Sequence, residues 1–190
     1  MRKTISKYSD NELIVLFGDN KSVKDDAFKV LYARYAPKVH AYCLRVLQNH
    51  EDAEDIFQET FVRFYNKAQP VLRGSIPGFL ITIARNLCLN YKRDNKATVP
   101  FEDYHFFLNA DSSVERSETM KLIKASLDLL DFELREVLVL RLYDGLQYQE
   151  ISEICGISVA NARKRAFRAK QKIKEILRPH FDELHKDIEN

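Results

Sequence analysis

Residues 148–168 read Tyr-Gln-Glu-Ile-Ser-Glu-Ile-Cys-Gly-Ile-Ser-Val-Ala-Asn-Ala-Arg-Lys-Arg-Ala-Phe-Arg. Residues 148–154 have the length and spacing of a short helix. Gly156 can enter the left-handed region without a Cβ penalty, and Ser158 is a good N-cap for a second helix. Ile151, Ile154, Ile157, Ala162 and Ala166 fall where a helix-turn-helix needs aliphatic or small side chains between its two helices. In that motif the second helix lies in the DNA major groove, its first turns toward base edges. Arg163, Lys164 and Arg165 occupy those turns, and Arg168 follows one turn after Lys164. From Asn161 to Arg178 there are eight Lys or Arg against one acid, Glu175. A solvated helix usually mixes its signs, so this excess points to nucleic acid. A lysine-rich exposed terminal helix is the alternative.

A stretch of opposite charge lies upstream. Residues 50–65 read His-Glu-Asp-Ala-Glu-Asp-Ile-Phe-Gln-Glu-Thr-Phe-Val-Arg-Phe-Tyr. Ile56, Phe57, Thr60, Phe61, Phe64 and Tyr65 share one broad helical face, while Glu51, Asp52, Glu54 and Asp55 crowd the start. Carboxylates there suit the helix dipole, so an acidic first turn that favours only its own helix explains them too. Together the two stretches suggest a protein that holds another protein while it holds DNA.

The rest of the 190-residue chain is consistent with helices alone. Only five glycines and five prolines interrupt it, and 45% hydrophobic content is enough to bury cores. The net charge of +2 matters less than its distribution. No apolar run approaches the roughly 18–20 residues of a membrane span, and the N-terminus lacks a signal-peptide core. Cys43, Cys88 and Cys155 are odd in number and far apart, which suits reduced, semi-buried thiols in a cytoplasmic protein.

Helical pattern starts with the capping-box pair Ser9 and Glu12, breaks at Gly18-Asp19-Asn20, and restarts at Ser22. Pro37 predicts a kink or short break before Val39, Tyr42, Cys43 and Val46 resume the stripe. A third helix covers about 51–68, and Pro77 opens a fourth that ends at Lys92-Arg93. Periodicity vanishes between about 94 and 117, then returns at 118–131 and 132–143 and in the two helices of the motif. The expected architecture is therefore all-α: two small helical domains, 1–94 and 118–190, joined by a linker over 95–117.

These residues resemble the bacterial extracytoplasmic-function (ECF) RNA polymerase sigma factors, of the housekeeping-sigma superfamily. Asp52-Ala53-Glu54-Asp55-Ile56-Phe57-Gln58-Glu59-Thr60-Phe61 is similar to their region 2.2. Phe79-Leu80-Ile81-Thr82-Ile83-Ala84-Arg85-Asn86 with Asn90-Tyr91-Lys92-Arg93 is similar to regions 2.3 and 2.4. Leu142-Tyr143-Asp144-Gly145-Leu146-Gln147-Tyr148-Gln149-Glu150-Ile151 and the helix after it resemble region 4.2. The likeness spans roughly 9–178, and the joint order of the motifs is what makes it specific.

The resemblance implies a four-helix sigma region 2 and a helix-turn-helix sigma region 4, with RNA polymerase core (its β′ and β subunits) and promoter DNA as partners. It implies no cofactor and no covalent chemistry, and it admits an anti-sigma partner. Asp52, Asp55, Gln58 and Glu59 map to the surface that docks on the β′ coiled coil. Arg73, Gly74 and Ser75, with Asn86, map to the pocket for a flipped base of the −10 element, and Lys92 and Arg93 to the phosphates beside it. Extruding a base costs a few kcal/mol, which pocket hydrogen bonds must offset; a capping or solvent-facing amide is the alternative for Asn86. Tyr148, Gln149, Arg163, Lys164, Phe167 and Arg168 map to the −35 surface. Phe167 would meet a sugar or thymine methyl there, or else pack between helices.

The chain also departs from the pattern. Phe79 stands where the family commonly has Trp, Asn90 replaces a frequent Asp, and Ala160-Asn161-Ala162 replaces the common Gly-Thr-Val. Those last changes should alter the −35 preference without abolishing binding.

Two other functions compete. A stand-alone repressor or activator would use only the C-terminal motif and bind a symmetric duplex site by itself. An enzyme would have to build on the carboxylates around His50, but no Gly-rich phosphate loop, nucleophile motif or metal-ligand spacing accompanies them.

Overall fold

The structure, a computed structural model, describes residues 5–66, 75–94 and 114–188, with side chains over 5–66, 75–94 and 121–179. The chain divides into two compact units, Met1–Pro100 and Phe101–Asn190.

The N-terminal unit begins with α1, Asp10–Val15, closed by the reciprocal Ser9–Glu12 capping box and followed by a 3-10 turn at Leu16–Gly18. Hydrogen bonds from Ser9 hold the Glu12 carboxyl below its usual range. α2 spans Lys21–Leu47 and takes its N-cap from Asn20, not from Ser22, because the Asn20 side chain reaches the Val23 amide at 3.2 Å. It also runs unbroken past Pro37. Proline in a helix interior costs about 3 kcal/mol, and Leu31, Val39, Tyr42, Cys43 and Val46 bury on both sides of it, which outweighs that cost.

α3, His50–Asn66, packs on α2, and α4, Ile76–Asp94, packs on both. Phe64 has no exposed surface and sits at ring-centroid distances of 5.4, 6.4 and 6.3 Å from Phe17, Phe28 and Phe79. Offset and edge-on aromatic pairs of this kind fix helix registry beyond the area they bury. Asp10 ties the start of α1 to α2 through Arg34, at 2.8 Å, and through the Tyr35 hydroxyl. Burial and that hydrogen bond push Tyr35 up to about 12. Cys43, Cys88 and Cys155 form no disulfide and are buried rather than half-buried.

The C-terminal unit comprises α5 (Val114–Asp128), α6 (Phe132–Leu142), α7 (Tyr148–Cys155) and α8 (Val159–Ile188). α5 starts four residues before the periodicity does, since Val114-Glu115-Arg116-Ser117 is helix-compatible but carries no apolar stripe. α6 is buried nearly all round: Arg135, Glu136, Val137, Leu138, Val139 and Leu140 are all inside. Arg135 reaches back to the end of α5, donating to the carbonyls of Leu127 at 3.1 Å and Leu130 at 2.7 Å. The Leu127 oxygen also accepts from the Leu130 amide at 3.1 Å, so the guanidinium is a second donor there and binds the Leu130 carbonyl just past the α5 C-terminus.

Gly156 adopts φ 64° at the end of α7, and Ser158 accepts from the Asn161 amide at 3.2 Å, as the turn chemistry predicts. α8 packs on the other three helices through Ala162, Ala166 and Ala169, small enough for close backbone approach. It continues through Pro179 to Ile188.

Candidate nucleic-acid interface and acidic face

The inward alanines of α8 turn its cations outward, and the neighbouring helix sorts them. Arg165 is paired with Glu133 at 2.6 Å, and Lys172 with Asp131 at 2.8 Å, both across to the start of α6. These two cations bind α8 to its own unit. Arg163, Lys164 and Arg168 are exposed and, among the described residues, join no ion pair. Phe167 lies between them and is 63% exposed, which excludes packing between the helices of the unit. A large exposed aromatic among unpaired cations is what a nucleic-acid surface offers: charge for phosphates and a face for sugar or methyl contact.

Asp131 is also the residue before α6, yet its side chain makes no capping bond because Lys172 takes the carboxylate. Hydrogen bonding and charge from Lys172 hold the Asp131 carboxyl below its usual range. A depressed carboxyl stabilises the fold above its unfolded pKa, and the contribution disappears as pH falls through the folded value. Acid below about pH 4 should therefore lower the unfolding temperature of this unit. The pair is exposed, so the effect should be under about 1 kcal/mol and absent in Asp131→Asn; thermal unfolding against pH for both proteins measures it.

At the head of α7, Tyr148 is half-buried and Gln149 exposed, with the Gln149 amide 3.1 Å from Glu153. Arg141, near the end of α6, donates to the Leu146 carbonyl at 2.8 Å and lies 5.1 Å from the centre of the Tyr148 ring. Arg163 reaches the same ring from α8, at 5.8 Å.

In the N-terminal unit α3 buries Ala53, Phe57, Thr60, Phe61 and Phe64, so its acidic residues fall on the opposite side. Asp55 and Gln58 are exposed; Asp52 and Glu59 are half-buried. Glu59 is engaged by Arg63 at 2.6 Å and Gln58 donates to Glu54 at 3.1 Å, whereas Asp55 has no ion pair among the described residues. Beside this face runs a shallow groove of about 530 Å³, lined by Phe28, Tyr32, Gln58, Phe61 and Val62 of α2 and α3. Tyr32 is 40% and Val62 52% exposed, an apolar strip next to the acids.

On α4, Ser75 caps the helix start, accepting from the Gly78 amide at 3.3 Å. Asn86 is exposed and forms one stripe with Asn90 and Arg93, at intervals of four and three residues. Lys92 is exposed, and Arg93 lies 3.1 Å from Asp94. Ser75 and Asn86 are separated by about 16 Å of helical rise, so α4 by itself does not bring them to one base. Arg73 and Gly74 lie outside the described residues.

The chain matches the Sigma-70 region 2 family over residues 31–98 and the Sigma-70 region 4 family over residues 120–173. It is 31% identical over 150 residues to the ECF RNA polymerase sigma factor SigM of Bacillus subtilis, covering 77% of this chain and 92% of that one. The chain belongs to the ECF RNA polymerase sigma factors. The ECF sigma factor SigE of Mycolicibacterium smegmatis is 30% identical over 164 residues, which cover 80% of this chain and 62% of that relative. The solved structure of the Bartonella quintana sigma factor RpoE, in complex with the anti-sigma factor NepR, has the same fold. Its TM-score is 0.68 at 22% identity, over 80% of this chain and 96% of that one.

As a sigma factor, the protein binds RNA polymerase core and directs promoter recognition and transcription initiation. Within this sigma factor, sequence reasoning missed Arg135, Arg141 and the Tyr32–Val62 strip. Arg135 reads as an ordinary solvated helix cation by type. Arg141 meets Tyr148 across the turn between α6 and α7, where helical periodicity does not carry over from one helix to the next. Val62 falls outside the apolar stripe of its helix, and only the geometry shows that it lies beside a Tyr32 left half uncovered.

Proposed function

We propose that this sigma factor divides its work between an acidic face on α3 and a cationic face on α8. Residues 1–94 form the unit for core and the −10 element, and residues 118–190 the unit for the −35 element, with Val114–Ser117 adding a first turn to the second. Asp52, Asp55, Gln58 and Glu59 take the β′ subunit of core. Asp55 carries most of that contact, because its carboxylate is exposed and unpaired while Glu59 is already engaged by Arg63. Arg163, Lys164, Phe167 and Arg168, with Tyr148 and Gln149 at their edge, take the −35 duplex: guanidiniums to base edges and lysine to phosphate. Asn86 presents its amide to an unstacked −10 base, with Lys92 and Arg93 on the backbone; Ser75, with Arg73 and Gly74 before it, borders the same strand.

The observation that carries this reading is the sorting of α8. Arg165 and Lys172 are spent on Glu133 and Asp131, and the remaining exposed cations of its first turns flank an uncovered Phe167. The work consists of positioning and charge complementarity, with no covalent step and no cofactor. It takes place in the cytoplasm with core polymerase; among the described residues no helix is long and apolar enough to cross a membrane. An anti-sigma partner fits the same surfaces, since exposed charge and an apolar strip are what such a protein would cover.

The test is transcription by core reconstituted with the full chain on a fragment library, alongside footprinting of the free chain. Promoter-selective initiation with core and weak protection without it support the reading. Tight symmetric protection by the free chain would instead mark a stand-alone regulator. A sharper prediction concerns Asp55: charge reversal in Asp55→Lys should weaken competition for core by about tenfold, with a smaller loss as salt rises. Unchanged competition would remove Asp55 from the interface.

A further inference from the structure

We infer that Tyr148 is a positioning residue that sets the reading geometry of Arg163 before DNA arrives. The inference rests on the proposal that Arg163 faces the −35 element, and it gives the aromatic ring, not the hydroxyl, the decisive part.

The geometry forms a relay. The Leu146 carbonyl holds Arg141 at 2.8 Å, and the Gln147 side-chain oxygen lies 3.4 Å from the same nitrogen. Arg141 in turn lies 5.1 Å from the Tyr148 ring centre, and Arg163 lies 5.8 Å from it. Both distances fall within the roughly 6 Å reach of a cation–π contact. Tyr148 is itself fixed, half-buried at the first position of a helix whose start is held by the Gln147 amide donating to the Glu150 carboxylate at 2.8 Å.

Arg163 has no other anchor. Among the described residues it makes no hydrogen bond or ion pair, in contrast to Arg165 two positions on, which Glu133 holds at 2.6 Å. A free arginine loses considerable rotamer freedom when it settles on a base edge. A ring that has already confined the guanidinium removes part of that cost, and affinity rises without any new contact to DNA. The ring also gives direction. It lies on the α7 side of α8, so Arg163 is drawn toward the head of the supporting helix while Lys164 and Arg168 stay unconstrained.

The prediction concerns coupling between two residues, which a merely structural role for Tyr148 would not produce. Holoenzyme is assembled from purified core and the full chain, and bound at fixed salt to a promoter fragment selected from a randomised −35 library by the wild-type holoenzyme. Arg163→Ala should weaken binding by about tenfold in the wild-type background and in Tyr148→Phe, which keeps the ring. In Tyr148→Leu, where the ring is gone, the same change should cost less than about twofold. Equal cost of Arg163→Ala in all three backgrounds overturns the inference. So does loss of coupling in Tyr148→Phe, which would make the hydroxyl the active group.

An Arg163→Ala change without effect in the wild-type background would instead take down the −35 assignment itself, a distinguishable failure. A second measurement needs no variant: side-chain Nε relaxation of arginines in the free chain. Arg163 should be nearly as ordered as the ion-paired Arg165, and an Arg163 as mobile as Arg168 overturns the inference.

Discussion

Replacing Arg135 with alanine is expected to destabilise the C-terminal unit by about 2–4 kcal/mol. The guanidinium is almost wholly buried and donates to the Leu127 and Leu130 carbonyls, with the Asp128 carbonyl at 3.4 Å. Burial pushes Arg135 down to about 10, partly opposed by the charges of Asp128 and Asp131, so it remains a cation at neutral pH. Its alanine replacement removes the charged donor from the Leu130 carbonyl and one of the two donors to Leu127, and a buried carbonyl left unsatisfied costs about 1–3 kcal/mol.

Leu127 at the end of α5 and Leu130 just after it share a cluster with Leu138 of α6 and Ala169 of α8, so the damage should spread to α8. Lysine should rescue only part of the loss, because a point ammonium cannot span carbonyls that the planar fork reaches together. Native-state hydrogen exchange over α6–α8 measures it. Faster exchange there, with protection of α2–α4 unchanged, is the expected pattern; wild-type protection in Arg135→Ala would show that the carbonyls find other donors.

The second large effect falls on DNA reading. Arg163→Ala and Arg168→Ala should each reduce −35 recognition by about 1–3 kcal/mol and leave core association intact. Both side chains are exposed, so removing them should cost the fold little. The loss should be selective: a panel of altered −35 sequences should separate wild type from mutants at some positions and not others. Lys164→Ala is different in kind, weakening all sequences alike and lowering the salt dependence by about one counterion. Equal binding across the panel by wild type and mutants would count against a base-reading role for either arginine.

Much of this was legible in the residues. Gly156 and Ser158 announced the turn because few residues meet those backbone demands, and the capping box at Ser9 did so for α1. The inward alanines of α8 followed from helical period alone. Pro37 was misleading because the local cost of proline is readable, while the partners that bury its helix on either side of it lie on other helices. Asn20 took the cap from Ser22 because either residue type suits the position and only the chain path chooses.

The candidate site was less legible than the fold. Position in a charge run does not reveal pairing: the resemblance singled out Arg163, Lys164 and Arg168, but the physical difference, Glu133 and Asp131 beside Arg165 and Lys172, lies only in the fold. Likewise Asp55 and Glu59 are the same chemistry in sequence, and Arg63 one turn on makes them different. Arg135 and Glu136 carry full charges in sequence and lie inside the unit, a placement that residue type argues against.

The two-face division is tested most directly by one paired assay: competition for core and −35-dependent promoter binding, measured on the same preparations of Asp55→Lys and Arg168→Ala. Asp55→Lys should lose core association, and Arg168→Ala should compete for core like wild type while failing to distinguish −35 sequences. If both variants fail at the same step, or if Arg168→Ala fails at core and Asp55→Lys at the −35 element, the assignment of α3 to polymerase and α8 to DNA is wrong.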